Sequence, residues 1–332
     1  MKKIWFYLAA SLLVLLSPAL AAAAPLKIGL VISGQIGDVP ASFNDICAAG
    51  LRNSQTKYAK KIAAHVFNAL GDNSVLQQTL DEAAARSDVV IVAASDFLPY
   101  LADVADSYPS VKFATLDPTD VPGVKQAVFR EEESAFLAGA LAAMMTTQTK
   151  LPRINGEQTV GLLLGPDVPP IRRFERGFVA GAWYVDKKVR VIKERTDSFS
   201  DASATEVLAK KMVAQGADVI FAVTGAASLG VVQAAAQNHD FWVIGVDSEL
   251  ENTYGSDVLT SAVKRCDLLI SRLIDDYVKK QDDDKPFTVG LAEGCADLSL
   301  WTRAAKNNIP LSIRNKLEEI SNKIEKKLII IK

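Results

Sequence analysis

The chain has 332 residues, 49% of them hydrophobic and 23% charged, which excludes a mainly disordered polymer and suggests two domains. Lysine and arginine total 37 against 39 aspartate and glutamate, a formal net charge of −2, so nothing in the charge balance points to nucleic acid. Three cysteines without CxxC spacing exclude a disulfide-dense scaffold and the usual zinc patterns, and two histidines, His65 and His239, leave little for histidine-based catalysis.

Lys2 and Lys3 precede an apolar run from Ile4 to Leu16, followed by Pro18 and Ala19-Leu20-Ala21. A basic start, a short apolar stretch and small residues at a cleavage site predict a signal peptide over 1–21, cut near Ala21 or Ala23. The alternative is an uncleaved N-terminal anchor helix, for which the run is short. No second run of about 18 apolar residues follows, so a soluble mature chain in the periplasm or outside the cell is expected. No cysteine near the cleavage site suggests a lipid anchor. In an oxidising compartment Cys266 and Cys295 are candidates for a bridge, with three buried thiols as the alternative.

From Lys27 onward, short apolar runs alternate with amphipathic stretches. Strands are predicted over 27–33, 65–70, 88–94, 112–117 and 124–129, and helices over 42–59, 73–86 and 96–107. Asp88 to Ala94 is nearly all Val, Ile and Ala, the pattern of a strand covered on both faces. The pattern then restarts with a helix over 131–145, a strand over 159–165 and a helix over 169–185 that has proline at its start. A strand over 189–194, a helix over 202–215 ended by Gly216, a strand over 219–224, a helix over 226–238 and a strand over 242–247 follow. The tail adds a strand over 258–263, a helix over 265–280, a strand near 288–292 and a final basic helix. Asp282-Asp283-Asp284 reads as a solvated turn rather than a metal site, because adjacent side chains point apart.

This alternation predicts parallel sheets covered by helices. It also reads as a duplication. Gly29-Leu30-Val31 is echoed by Gly161-Leu162-Leu163, and Ser87-Asp88-Val89-Val90-Ile91 by Ala217-Asp218-Val219-Ile220-Phe221. Two doubly wound α/β lobes are therefore expected, one built from 27–129 plus 256–286 and the other from 130–255 plus 287–332. Such sheets bind ligands beyond the carboxyl ends of their strands, so two facing lobes would enclose a cleft. The residues at those ends are Gly34 to Phe43, Asp117, Phe199, Gly225, Asp247 and Lys264. Aromatic faces, carboxylates and one ammonium without a nucleophile–base pair suit recognition of a small polar ring compound better than catalysis.

Several ordered motifs resemble the basic membrane protein (BMP) family of ABC-transporter substrate-binding proteins, whose best understood members are purine nucleoside receptors. They are Gly29-Leu30-Val31 with Ser42-Phe43-Asn44, Tyr108-Pro109-Ser110-Val111-Lys112-Phe113-Ala114 with Asp117, Phe136-Leu137-Ala138-Gly139, and Phe174-Glu175-Arg176-Gly177-Phe178-Val179-Ala180-Gly181. Gln215-Gly216-Ala217-Asp218-Val219-Ile220, Gly245-Val246-Asp247-Ser248 and Thr260-Ser261-Ala262-Val263-Lys264 complete the set. The resemblance implies a type I periplasmic binding-protein fold that delivers solute to an ABC permease, without a cofactor, as a monomer. It implies a ligand site of Ser33, Phe43, Asn44, Asp117, Phe199, Gly225, Asp247 and Lys264, and no metal. Phe43 and Phe199 would sandwich a purine, Asp247 would accept from two ribose hydroxyls, and Lys264 would donate to the ribose. Gly225 would let backbone approach the sugar, and Asp117 would meet donors on the base. Each residue also has a plain structural reading. Phe43 could pack its helix on the core, Phe199 could anchor a loop, and Asp247 could cap the next turn. Lys264 could be an exposed helix-start lysine, Asp117 could cap Pro118, and Gly225 could be a turn glycine.

The chain departs from the nucleoside receptors at Ser33, where they usually carry aspartate, at Val39-Pro40-Ala41, and at Glu249. A related branch binds riboflavin, which the same aromatic pair could hold. A nucleoside hydrolase would need an aspartate cluster after the first strand, where Ser33-Gly34-Gln35-Ile36-Gly37 stands instead. A ligand-sensing module docked on a membrane receptor is the remaining alternative.

Overall fold

The computed structural model describes residues 24–37, 42–281, 285–300 and 302–331. The expected signal peptide and the Asp282-Asp283-Asp284 turn lie outside the described residues. The first half contains β1 (Leu26–Ile32), α1 (Phe43–Tyr58), β2 (Ile62–Asn68), α2 (Leu76–Arg86), β3 (Val89–Val92), α3 (Leu98–Ser107), β4 (Lys112–Thr115) and β5 (Lys125–Phe129). The second contains α4 (Glu131–Thr146), β6 (Thr159–Leu164), α5 (Pro169–Val185), β7 (Arg190–Arg195), α6 (Ala202–Ala214), β8 (Ala217–Val223), α7 (Ser228–Asn238), β9 (Trp242–Asp247), α8 (Leu250–Tyr254) and β10 (Val258–Lys264). The tail contains α9 (Cys266–Val278), β11 (Phe287–Val289), β12 (Ala296–Leu298), α10 (Arg303–Asn308) and α11 (Leu311–Glu325).

Among the described residues the strands form two six-stranded sheets, ordered β11-β5-β4-β3-β1-β2 and β12-β10-β9-β8-β6-β7. All neighbours are parallel except β12, which runs antiparallel to β10. The order β5-β4-β3-β1-β2 is reproduced as β10-β9-β8-β6-β7, so the echoed motifs fall on equivalent strands. The fold is a two-lobed α/β architecture of the type I class. β3 is buried at every residue, as expected for a strand covered by helices on both faces. Lobe 1 has one core on each side of its sheet, around Leu273 and Ile274 on one face and Leu80 and Leu101 on the other.

The chain crosses between lobes after β5, after β10 and between β11 and β12. The expected boundaries require correction here. The sequence pattern places 256–286 in lobe 1 and 287–332 in lobe 2, but β10 belongs to the second sheet and β11 to the first. A strand's apolar pattern reports that it is buried and carries no label for the sheet it joins. Adjacent crossings hydrogen-bond to each other, Arg130 N to Val289 O at 2.8 Å and Arg265 N to Cys295 O at 2.8 Å. The Arg130 guanidinium also meets Glu133 and Glu293, each at 2.5 Å.

The Phe136–Gly139 and Phe174–Gly181 motifs are packing elements. A Cβ on Gly181 would overlap the Phe136 carbonyl, and one on Gly139 would overlap that of Phe178, so α4 and α5 touch backbone to backbone. Phe178 also stacks on Phe221 of β8, with ring centroids 5.4 Å apart.

Cys47, Cys266 and Cys295 are all free and buried, so the Cys266–Cys295 bridge does not form. The Cys266 thiol instead hydrogen-bonds Cys47, between α1 and α9, and Cys295 faces the Glu293 carbonyl at 3.7 Å. Burial pushes the Cys266 and Cys295 thiols up, and the thiolate is the reactive form. Native protein is therefore expected to resist alkylation by iodoacetamide at pH 7.5 and to take three labels once denatured. Labelling of the native chain at Cys266 would contradict this packing.

Candidate functional site

The carboxyl ends of both sheets face a cavity of about 540 Å³ between the lobes. Ser33, Phe43, Asn44, Asp117, Phe199, Gly225, Asp247 and Lys264 all line it. The ends of β1 and β3, and of β6 and β8, open onto it. Strand order reverses at these two places, the usual position of a ligand crevice in open α/β sheets.

Lobe 1 supplies one wall. Ser42 caps α1 through a capping box with Asp45, whose backbone N–H reaches Ser42 Oγ at 3.3 Å. Phe43 follows as the first helical residue, so its ring projects from a fixed helix start into the cleft and onto the lobe 1 core. The Asn44 side chain lies against Gly34, where a Cβ would meet Asn44 Nδ2 at 2.5 Å. Lobe 2 supplies the facing wall. The Phe199 ring rests on Gly165, where a Cβ would lie 2.5 Å from the ring edge. Gly225 has φ +58°, and the Phe199 carbonyl accepts from Ala227 N at 2.8 Å. Gly225 thus serves the turn reading as well as lining the cleft.

The charges form one connected group. Lys264 is 7% exposed, so it is not a surface lysine. Its Nζ lies 2.8 Å from Glu131 Oε1 and sits over the Phe43 and Phe129 rings, at 5.0 and 4.6 Å from their centroids. Arg173 holds the other Glu131 oxygen at 2.5 Å and reaches Asp117 Oδ1 at 3.3 Å. Ser95 Oγ donates to Asp117 Oδ2 at 2.6 Å. Burial opposes ionisation of Glu131, but Lys264 and Arg173 outweigh it and hold its carboxyl low. Burial likewise works against the Lys264 ammonium, and Glu131, Asp117 and Asp247 more than reverse it, so Lys264 stays charged. Asp117 goes the other way, raised by burial despite Lys264, Ser95 and Arg173.

Asp247 is the unfinished member. It ends β9 in the left-handed region at φ +68°, a conformation aspartate tolerates better than most residues. The N-cap of α8 is Glu249, so Asp247 is not a cap. Among the described residues no group donates a hydrogen bond to its carboxylate. Burial pushes it up to about 6, with Lys264 pulling down and Glu131 pushing up. Lys264 gives its short contact to Glu131 and leaves Asp247 as a bare acceptor facing the cavity.

Ser95, Glu131, Arg173 and Gly165 were absent from the residues expected here. Ser95 lies three residues past the end of β3, within reach of the strand-end rule. Glu131 sits in a Glu131-Glu132-Glu133 run that reads as an acidic first helical turn, and Arg173 in a helix that reads as amphipathic.

Two lobes of matched topology around a cleft with aromatic, carboxylate and ammonium walls define a two-lobed solute-binding protein. The chain belongs to the Bmp family of PnrA-like ABC transporter substrate-binding proteins, whose model matches residues 26–332. It is 26% identical over 313 residues to basic membrane protein A of Borreliella afzelii, covering 92% of this chain and 91% of that one. It is 29% identical over 287 residues to basic membrane protein B of Borrelia garinii subsp. bavariensis, covering 82% and 81%. Its fold matches an ABC transporter solute-binding protein from Aeropyrum pernix K1 with a TM-score of 0.78 at 24% identity, over 92% and 93% of the two chains. A small-molecule ligand, an ABC permease as partner and a place outside the cytoplasm follow from the family.

Proposed function

We propose that this chain is exported to the periplasm as a monomer, captures a purine nucleoside in the cleft, and delivers it to an ABC importer. The observation that carries the reading is Asp247, a carboxylate in the cavity with no donor among the described residues, beside the charged Lys264. One carboxylate accepts from two adjacent hydroxyls, which the cis diol of a ribose offers. Phe43 and Phe199 come from opposite lobes and suit the two faces of a fused ring, each stacked pair adding about 1 kcal/mol beyond burial. Asp117 suits an N–H on the edge of the base. A binding role is favoured over hydrolysis, since neither His65 nor His239 lines the cavity.

A thermal-shift screen on refolded, ligand-stripped protein tests this. The panel holds purine and pyrimidine nucleosides, free bases, riboflavin and common sugars. A ligand at 100 times its dissociation constant adds about 2.7 kcal/mol of stability. A shift with purine nucleosides alone is expected. A shift with riboflavin alone would overturn the ligand assignment, with Ser33 as the reason. Product formed from a nucleoside would overturn the non-catalytic reading.

Affinity should also follow the charge on Asp247. Protonation removes an acceptor, so binding is level above about pH 6 and falls about tenfold per unit below it. Titration calorimetry from pH 4.5 to 8 checks this, and a flat profile would contradict the diol assignment.

A further inference from the structure

Arg173 lies outside the cavity lining, yet it joins parts of the protein that belong to different lobes. It stands on α5 in lobe 2. Its guanidinium pairs with Glu131, the first residue of α4 after the crossing from β5, and extends to Asp117 after β4 in lobe 1. Arg173 is about 12% exposed at the side chain, Glu131 1% and Asp117 6%, so solvent screens the set weakly. A planar guanidinium can serve two carboxylates at once, which an ammonium does less well.

We propose that Arg173 is a positioning residue that clasps the two lobes through Asp117 and aims that carboxylate at the ligand. With Ser95 on Oδ2 and Arg173 on Oδ1, the plane of the Asp117 carboxylate is set from both sides. Ser95 and Asp117 move with lobe 1, and Arg173 moves with lobe 2. The Asp117–Arg173 pair can therefore persist only when the lobes are together. Opening the cleft breaks it and leaves Arg173 on Glu131 alone. The clasp thus ties orientation of the recognition carboxylate to closure. The aim at the ligand rests on the nucleoside reading above, whereas the clasp itself does not.

Asp117 faces Ser95 from the turn before α3, Arg173 from α5, Glu131 from α4 and Lys264 from β10. Burial already pushes this carboxyl up, and Arg173 is one of the groups that oppose it. Removing the guanidinium therefore makes Asp117 easier to protonate.

The test uses the mature chain with Arg173→Gln, Arg173→Lys and, as a variant altered on the other lobe, Asp117→Asn. Small-angle scattering without ligand is expected to give a larger radius of gyration for Arg173→Gln and for Asp117→Asn than for wild type. Inosine affinity at pH 7 is expected to fall at least tenfold in Arg173→Gln. Arg173→Lys restores part of the affinity. If Arg173→Gln does not fold, the scattering of Asp117→Asn decides the clasp. Unchanged scattering in the folded variants would overturn the clasp. Unchanged inosine affinity in Arg173→Gln would overturn the aiming role. Failure of wild type to bind inosine would overturn the nucleoside reading instead, while scattering would still decide the clasp.

Discussion

Asp247→Asn is expected to abolish nucleoside binding while leaving the protein at least as stable as wild type. The loss follows from chemistry at one atom pair. Two hydroxyl donors to a carboxylate contribute about 1.5–3 kcal/mol each, so replacing the acceptor costs affinity on the order of a hundredfold or more. The stability gain follows from burial, which raises the carboxyl from 3.8 to about 6. A carboxyl raised on folding binds its proton more tightly in the native state. Its ionisation therefore costs stability as the pH climbs from about 4 through 6. At pH 7.5 that cost is complete, about 3 kcal/mol as a ceiling. Asparagine tolerates the left-handed backbone and carries no charge. The variant should unfold at a higher temperature than wild type at pH 7.5 and at the same temperature near pH 4. Calorimetric unfolding at both values, together with titration by inosine, checks both halves. Binding within threefold of wild type would remove Asp247 from the site.

Lys264→Met is expected to be the most destabilising single change in the cleft. Methionine replaces the apolar stem but not the ammonium 2.8 Å from Glu131. Glu131 is 1% exposed and would keep only Arg173, with Asp117 and Asp247 nearby. Removing one partner of a buried pair typically costs 3–5 kcal/mol, since the remaining charge stays desolvated. In a chain of this length that lowers the midpoint by roughly 5–8 °C. The contacts over the Phe43 and Phe129 rings are lost as well. Adding Glu131→Gln should restore most of the stability, because the stranded charge is then gone. Nucleoside binding should not return, because the donor beside Asp247 is still missing. Unfolding midpoints of the single and double variants test this. A double variant no more stable than Lys264→Met would contradict the assignment of Glu131 as its partner.

Much of the fold was legible because strands and helices announce themselves by different means. β3 and the carboxyl-terminal halves of β6 and β8 are apolar runs, and Gly165 and Thr224-Gly225 mark where β6 and β8 leave the sheet. That exit is also where a ligand meets an open α/β sheet, so the cavity-lining residues were readable with the strands. Short elements were harder. β12 has 3 residues, α8 has 5 and α10 has 6, too few for a period to show. β2 begins at Ile62 rather than His65, because its irregular, partly exposed pattern gives weak contrast at its start. The membership of β10 and β11 depends on which sheet edge is free, a property of the assembled lobes. Glu131 and Arg173 were hidden for a related reason. Each looks like an ordinary charge on a helix, and only the approach of α4, α5 and the end of β4 makes them partners. The cysteines show the limit most plainly. Cys266 lies 29 positions before Cys295 in the chain, yet its thiol meets Cys47 across the packing of α1 on α9.

The most direct test compares inosine with 2′,3′-dideoxyinosine by titration calorimetry on refolded, ligand-stripped protein at pH 7.5. The two share the base and differ only in the hydroxyls that Asp247 and Lys264 would hold. A site built around a diol rejects the analogue that lacks it, because its buried acceptor is then left unpaired. Inosine is expected to bind, and the dideoxy compound to bind at least 100-fold more weakly. Equal affinity for both, or binding of neither, would contradict capture of a nucleoside through its ribose.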